Sequence, residues 1–88
     1  MEIKFSKAFE KDLKDVNNKS LILKIGAIIK ELQVVNSLEE VKGIKQLKGH
    51  KNCYRIRIGD YRLGFVIEGK SVWLARLMHR KEIYRYFP

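Results

Sequence analysis

A chain of 88 residues, 45% hydrophobic with a single proline, makes one folded domain over residues 1–88 and excludes both a two-domain protein and a disordered one. A formal charge of +9 points to polyanionic partners: nucleic acid, an anionic membrane surface or an acidic protein. Cys53 is the only cysteine, which excludes an intrachain disulfide and a cysteine-rich zinc site.

In chain order, Ile3 and Phe5 alternate with Glu2, Lys4 and Ser6, which predicts a short N-terminal strand. Ser6 stands where a helix N-cap belongs. Ala8, Phe9, Leu13 and Val16 repeat at helical spacing until Asn17-Asn18 breaks the pattern. A second helix is expected from Ser20 to Leu32 or Val35, with Leu21, Ile22, Ile25, Ile28, Ile29 and Leu32 as one apolar stripe. The short link makes the two helices an antiparallel hairpin. Asn36 to Gly49 is polar and reads as loop, with one short turn over Leu38–Val41.

Cys53 to Val66 alternates with period two on both sides of Gly59-Asp60, as two strands joined by a tight hairpin do. With Gly59 and Asp60 as the loop, Ile58 faces Tyr61, Arg57 faces Arg62, Ile56 faces Leu63 and Arg55 faces Gly64. One face then collects Tyr54, Ile56, Ile58, Tyr61, Leu63 and Phe65 as core. The other collects Arg55, Arg57 and Arg62 around a bare glycine. Like charges opposite one another weaken a sheet, so this face is either a solvated basic surface or a polyanion site. Cys53 falls on it as a spectator thiol. Charge agrees with the second half as the binding side: residues 51–88 carry nine Lys/Arg against three Asp/Glu, residues 1–50 ten against seven.

Glu68-Gly69-Lys70 is then expected as a loop, pairing Ile67 with Ser71 ahead of a third strand over Val72–Met78. That register sets Phe65 beside Trp73 and Leu63 beside Ala75 in the core, and Arg76 opposite Arg62 on the basic face. Ile83 and Phe87, four apart, predict a short C-terminal helical turn. The fold class is α+β: an N-terminal strand, an antiparallel two-helix hairpin and a three-stranded antiparallel meander, with the helices on one sheet face and the other open and basic. No apolar run is long enough to span a membrane and no signal peptide is visible, so a cytoplasmic protein is expected.

Lys48-Gly49, the run from Tyr54 to Leu63, and the tail His79-Arg80-Lys81-Glu82-Ile83-Tyr84 resemble the RelE/ParE superfamily of toxins, and the resemblance covers nearly the whole chain. It implies the toxin half of a type II toxin–antitoxin pair, held inactive by an acidic RelB-like antitoxin, with operator DNA contacted through that complex. For the RelE-like branch it implies ribosome-dependent cleavage of messenger RNA, without metal or cofactor. The RNA 2′-hydroxyl attacks the adjacent phosphate, leaving a 2′,3′-cyclic phosphate and a 5′-hydroxyl. The alternative, the ParE-like branch, inhibits DNA gyrase and has no nuclease site.

Such cleavage needs a base for the hydroxyl, cations for the developing charge and an acid for the departing oxygen. By resemblance Arg62 and Arg80 bind the scissile phosphate, Tyr84 stacks on or orients the nucleotide, and Arg55 and Arg57 stand where RelE-type enzymes often carry lysines. Arginine stabilises charge but cannot release its proton, so His79 is the first acid/base candidate and Tyr84 the second. The tail between Arg80 and Tyr84 is shorter than in well-known RelE enzymes. Lys48 and Lys51, with His50 between them, and Arg76 and Arg85 are expected to contact RNA.

Overall fold

The first strand stops where a serine turns its hydroxyl to two tasks. In the computed structural model, which describes residues 1–88, β1 (Glu2–Phe5) ends at Ser6. Ser6 Oγ accepts the Phe9 amide at 3.0 Å and donates to the Ala75 carbonyl at 2.8 Å, so one side chain caps α1 (Lys7–Lys14) and ties it to the sheet. Asn18 caps α2 (Lys19–Val34) through the Leu21 amide. The two helices bury Phe9, Leu21, Ile25 and Leu32. A 3-10 turn at Leu38–Glu40, closed by a Ser37/Glu40 capping box, occupies the expected short turn.

Four strands follow: β2 (Ile44–Gln46), β3 (Cys53–Ile58), β4 (Tyr61–Glu68) and β5 (Ser71–His79). The chain ends in α3 (Ile83–Tyr86). The sheet has five strands in the order β1-β5-β4-β3-β2, with β1 parallel to β5 and the rest antiparallel. Helices α1 and α2 cover one face, over a core of Ile56, Ile58, Leu63, Phe65, Val72, Leu74 and Leu77. The β3–β4 register matches the expected one residue for residue, and Gly59 takes the left-handed backbone (φ +59°) its tight turn needs.

Three sequence expectations are corrected. The meander has four strands, because β2, expected as loop, pairs with β3. The β4–β5 connection is a turn of Gly69 and Lys70 alone, with Glu68 paired to Ser71. A regular strand beyond that turn would drive Arg76 into the core, and the sheet avoids this with a bulge: Phe65 pairs with Leu74 and Gly64 with Arg76, so Ala75 is the extra residue. Leu74 and Leu77 therefore both reach the core, while Trp73 lies on the other face with the Lys4 ammonium 5.1 Å from its ring centre. Leu63 pairs with Leu77 rather than Ala75, and Arg76 lies opposite Gly64 rather than Arg62. Third, the basic face is not fully open, because α3 folds back across it and buries Ile83 and Phe87.

β1 pairs only as far as Leu74, which leaves the edge of β5 uncovered from the bulge onward. Asp12 of α1 closes that edge. Its carboxylate accepts the Leu77 amide at 2.9 Å and holds the Arg76 guanidinium bidentately at 2.8 and 3.0 Å. This hydrogen bond raises the Arg76 pKa above its ordinary value, against the opposing effect of desolvation. Asp12→Ala leaves a backbone donor and a half-buried cation without their partner, and is expected to cost about 1–3 kcal/mol in a urea melt. Unchanged stability would mean that water replaces the carboxylate at no cost.

Candidate functional site

Strand pairing builds a row of cations. Arg57 lies beside Arg62 and Arg55 beside Gly64 across the β3–β4 pair, and β2 adds Lys45 next to Arg55. From α3, the Tyr84 ring lies under the Arg55 guanidinium, with its centre 4.5 Å from the guanidinium carbon. Lys45, Arg55, Arg57, Arg62 and Tyr84, with Gly43, line one cleft of about 320 Å³. No carboxylate lines it, and the ion pairs of the chain, Lys4–Glu2 and Arg76–Asp12, lie elsewhere. Like charges packed this closely repel one another, so the cleft gains most from an anion that several cations share.

Arg62 is held ready for such a ligand. Its Nη1 donates to the carbonyls of Gly59 and Tyr61, both at 2.9 Å. That leaves Nε and Nη2, one edge of the guanidinium fork, to bind two phosphate oxygens. The Arg80 amide donates to the Asp60 carbonyl at 2.8 Å, so Arg80 starts from the same hairpin turn that anchors Arg62. Arg80 is exposed and does not line the cleft.

The other expected site residues lie apart. His79 pairs with Tyr61, on the helix-covered face, with the two rings edge to face at 5.8 Å. Its Nδ1 accepts the Lys81 amide at 3.2 Å, and its surroundings are Asp12, Asp15 and Glu82 rather than the arginines. Lys48, His50 and Lys51 form a second basic patch in the β2–β3 loop, braced by a 2.7 Å hydrogen bond from Gln46 Nε2 to the Lys51 carbonyl. It sits at the end of β3 away from the Gly59–Asp60 turn. Arg76 is neutralised by Asp12 and stacked on Tyr86, whose ring centre is 5.3 Å away. Arg85 is exposed on α3.

Lys45 is the cleft residue that sequence reasoning missed. Ile44-Lys45-Gln46-Leu47 has no clean alternation, so only the pairing with β3 assigns Lys45 a face. Its addition matters chemically, because among the cleft's side chains only Lys45 and Tyr84 can exchange a proton.

Residues 3–84 match the family described as the ParE toxin of type II toxin–antitoxin system, parDE. The chain is 46% identical to Toxin RelE3 of Methanocaldococcus jannaschii over 89 aligned positions covering 100% of both chains. The RelB–RelE antitoxin–toxin complex from Methanococcus jannaschii contains a chain that superposes with a TM-score of 0.83 at 45% identity, covering 97% of this chain and 99% of that one. The YoeB dimer from Staphylococcus aureus shares the fold alone, at 23% identity and a TM-score of 0.74 over 91% of this chain and 97% of the other. Matched along nearly its whole length by sequence and by structure, the chain belongs to the RelE/ParE family of type II toxin–antitoxin toxins, as a RelE-like member.

Proposed function

We propose that this toxin is a metal-independent messenger RNA endonuclease that acts on the ribosome, with the cleft between β2, β3, β4 and α3 as its active site. The observation that carries the reading is the gathering of Lys45, Arg55, Arg57, Arg62 and Tyr84 around one cleft free of carboxylates. A poison that works by binding a protein has no need of four cations lining one cleft. Whole-length similarity to a relative named RelE supports the same branch, and solved RelB–RelE complexes of relatives support a cognate antitoxin as partner.

In this reading the 2′-oxygen of the RNA forms a bond to phosphorus while the bond to the 5′-oxygen breaks. Arg62, with Arg57 and Arg55 behind it, takes the negative charge that grows on the non-bridging oxygens. Arg80 approaches from the Gly59–Asp60 turn to hold the same backbone. Tyr84 stacks on the nucleotide or orients it, and the patch of Lys48 and Lys51 contacts RNA further along. Arg85 adds charge at the rim. The proton leaving the 2′-hydroxyl and the one reaching the 5′-oxygen pass through Lys45 or Tyr84, the cleft's two exchangeable groups. His79 is given no chemical step, since its imidazole faces Tyr61 across the sheet from the cleft.

The test is to induce the protein in cells and map new 5′ ends on messenger RNA, beside an Arg57→Ala/Arg62→Ala control. Cuts inside translated frames, absent in the control, support the reading. Growth arrest without new ends, accompanied by altered DNA supercoiling, would replace it with the ParE-like alternative, gyrase inhibition. A second substitution locates the proton step. Lys45→Arg keeps the charge but cannot exchange a proton, so it is expected to slow cleavage about 100-fold or more at unchanged ribosome affinity. A wild-type rate would leave Tyr84 or the ribosome as the proton carrier.

A further inference from the structure

Ile83 and Phe87 are among the most buried residues of the chain, yet neither belongs to the core beneath the helices. They form a small second core on the arginine face, and its floor is a glycine. The Phe87 ring rests directly on Gly64: a Cβ added there would lie 2.5 Å from Cδ2 and 2.7 Å from Cγ of the ring. No other residue at position 64 would let the ring reach the sheet. Gly64 is also the register partner of Arg55 on one side and Arg76 on the other. The guanidinium carbons of those two arginines lie over the rings of Tyr84 and Tyr86, respectively. The tail therefore docks through three neighbouring aromatic contacts along one row of the sheet, with Phe87 in the middle.

Of these rings only Phe87 is buried; Tyr84 is 73% and Tyr86 53% exposed. A helix of four residues does not hold its own shape, and Tyr84 makes no hydrogen bond that would fix it. Its place at the cleft mouth is set by its neighbours at either end of the turn, Ile83 and Phe87, which are joined by a 2.9 Å bond from the Phe87 amide to the Ile83 carbonyl. We propose that Phe87, seated on Gly64, is a positioning residue that holds Tyr84 over Arg55 at the mouth of the cleft. Its catalytic consequence rests on the cleavage reading above; its structural content does not.

Two readouts separate the two. In the free protein, nuclear Overhauser contacts between the Tyr84 ring and the Arg55 side chain are expected in the wild type and lost in Phe87→Ala. Persistence of those contacts in Phe87→Ala overturns the proposal whatever the activity. In single-turnover cleavage on programmed ribosomes, Phe87→Ala and Gly64→Ala are each expected to slow the cut about 100-fold, the scale of a misplaced reacting group, with ribosome affinity within about threefold of wild type. Added to Tyr84→Ala, either substitution is expected to cost nothing more, because a residue acting through Tyr84 has nothing left to act on. Losses that multiply in the double variants would overturn the positioning role, since packing alone predicts them. Gly64→Ala alters β4 itself, whereas Phe87→Ala leaves all five strands as they are, so the second variant decides if the first does not fold. A wild-type protein that cuts nothing would remove the cleavage reading and leave the Overhauser result to judge the contact.

Discussion

Arg62→Ala is expected to lower the cleavage rate about 100- to 1,000-fold, or about 2.7–4 kcal/mol in the barrier, the loss typical of one preorganised charge-stabilising donor. The size follows from how Arg62 is held. Two carbonyls of its own hairpin fix Nη1, so the guanidinium has little freedom left to lose when it meets a phosphate. Arg57 beside it has no such anchor and is exposed, so its removal is expected to cost less. Arg62→Lys keeps the charge but gives up both the carbonyl anchor and the two-pronged edge, and should fall between wild type and alanine. Neither change touches the core, which lies on the opposite face of β4 in Leu63 and Phe65, so melting should stay within about 0.5 kcal/mol of wild type. Single-turnover cleavage on programmed ribosomes, with a thermal melt of each variant, is the measurement. A folded Arg62→Ala protein cutting within threefold of wild type would remove Arg62 from the phosphate.

What the sequence discloses divides along physical lines. The β3–β4 hairpin is legible because Gly59-Asp60 fixes the loop length and both strands keep period two, so each side chain's face follows from counting. The β4–β5 pair is not, because alternation carries no mark of a bulge. Arg76 and Leu77 can be placed only once Ala75 is known to be the extra residue. The same parity explains His79. Chemistry alone recommends it as a proton carrier, but counting from the bulge puts Arg76 and Met78 on the cleft side and Leu77 and His79 on the helix side. Lys45 fails for a different reason: a strand of three residues has too few positions to show a period. The tail fails for a third. Gly64 stands out in the sequence as a bare position among arginines, yet nothing local says that Phe87, 23 residues later, will cover it. The family resemblance named Arg55, Arg57, Arg62, Arg80 and Tyr84; the fold brings four of them to one cleft and leaves Arg80 outside its lining, and what they do there is the proposal.

Leu63→Asp is expected to abolish folding. Leu63 is fully buried, paired with Ile56 on one side and Leu77 on the other, at the middle of the sheet face that packs under the helices. Truncating a buried leucine to alanine costs about 2–5 kcal/mol by itself. A carboxylate there must in addition shed its water, at several kcal/mol, and no cation lies on that face to compensate, because every arginine of β3 and β4 points the other way. Together these exceed the lower end of the about 5–15 kcal/mol that holds a domain folded, and an 88-residue chain sits near that end. Leu23→Asp is the matched control: the same chemical change on the outer side of α2, where Leu23 is 75% exposed, should shift stability by no more than about 0.5 kcal/mol. Circular dichroism with a urea melt of both variants reads the difference directly. If Leu63→Asp melted cooperatively near the wild-type midpoint, the two faces of β4 would have to be exchanged, and Arg62, one residue away, would then point into the core rather than at a phosphate.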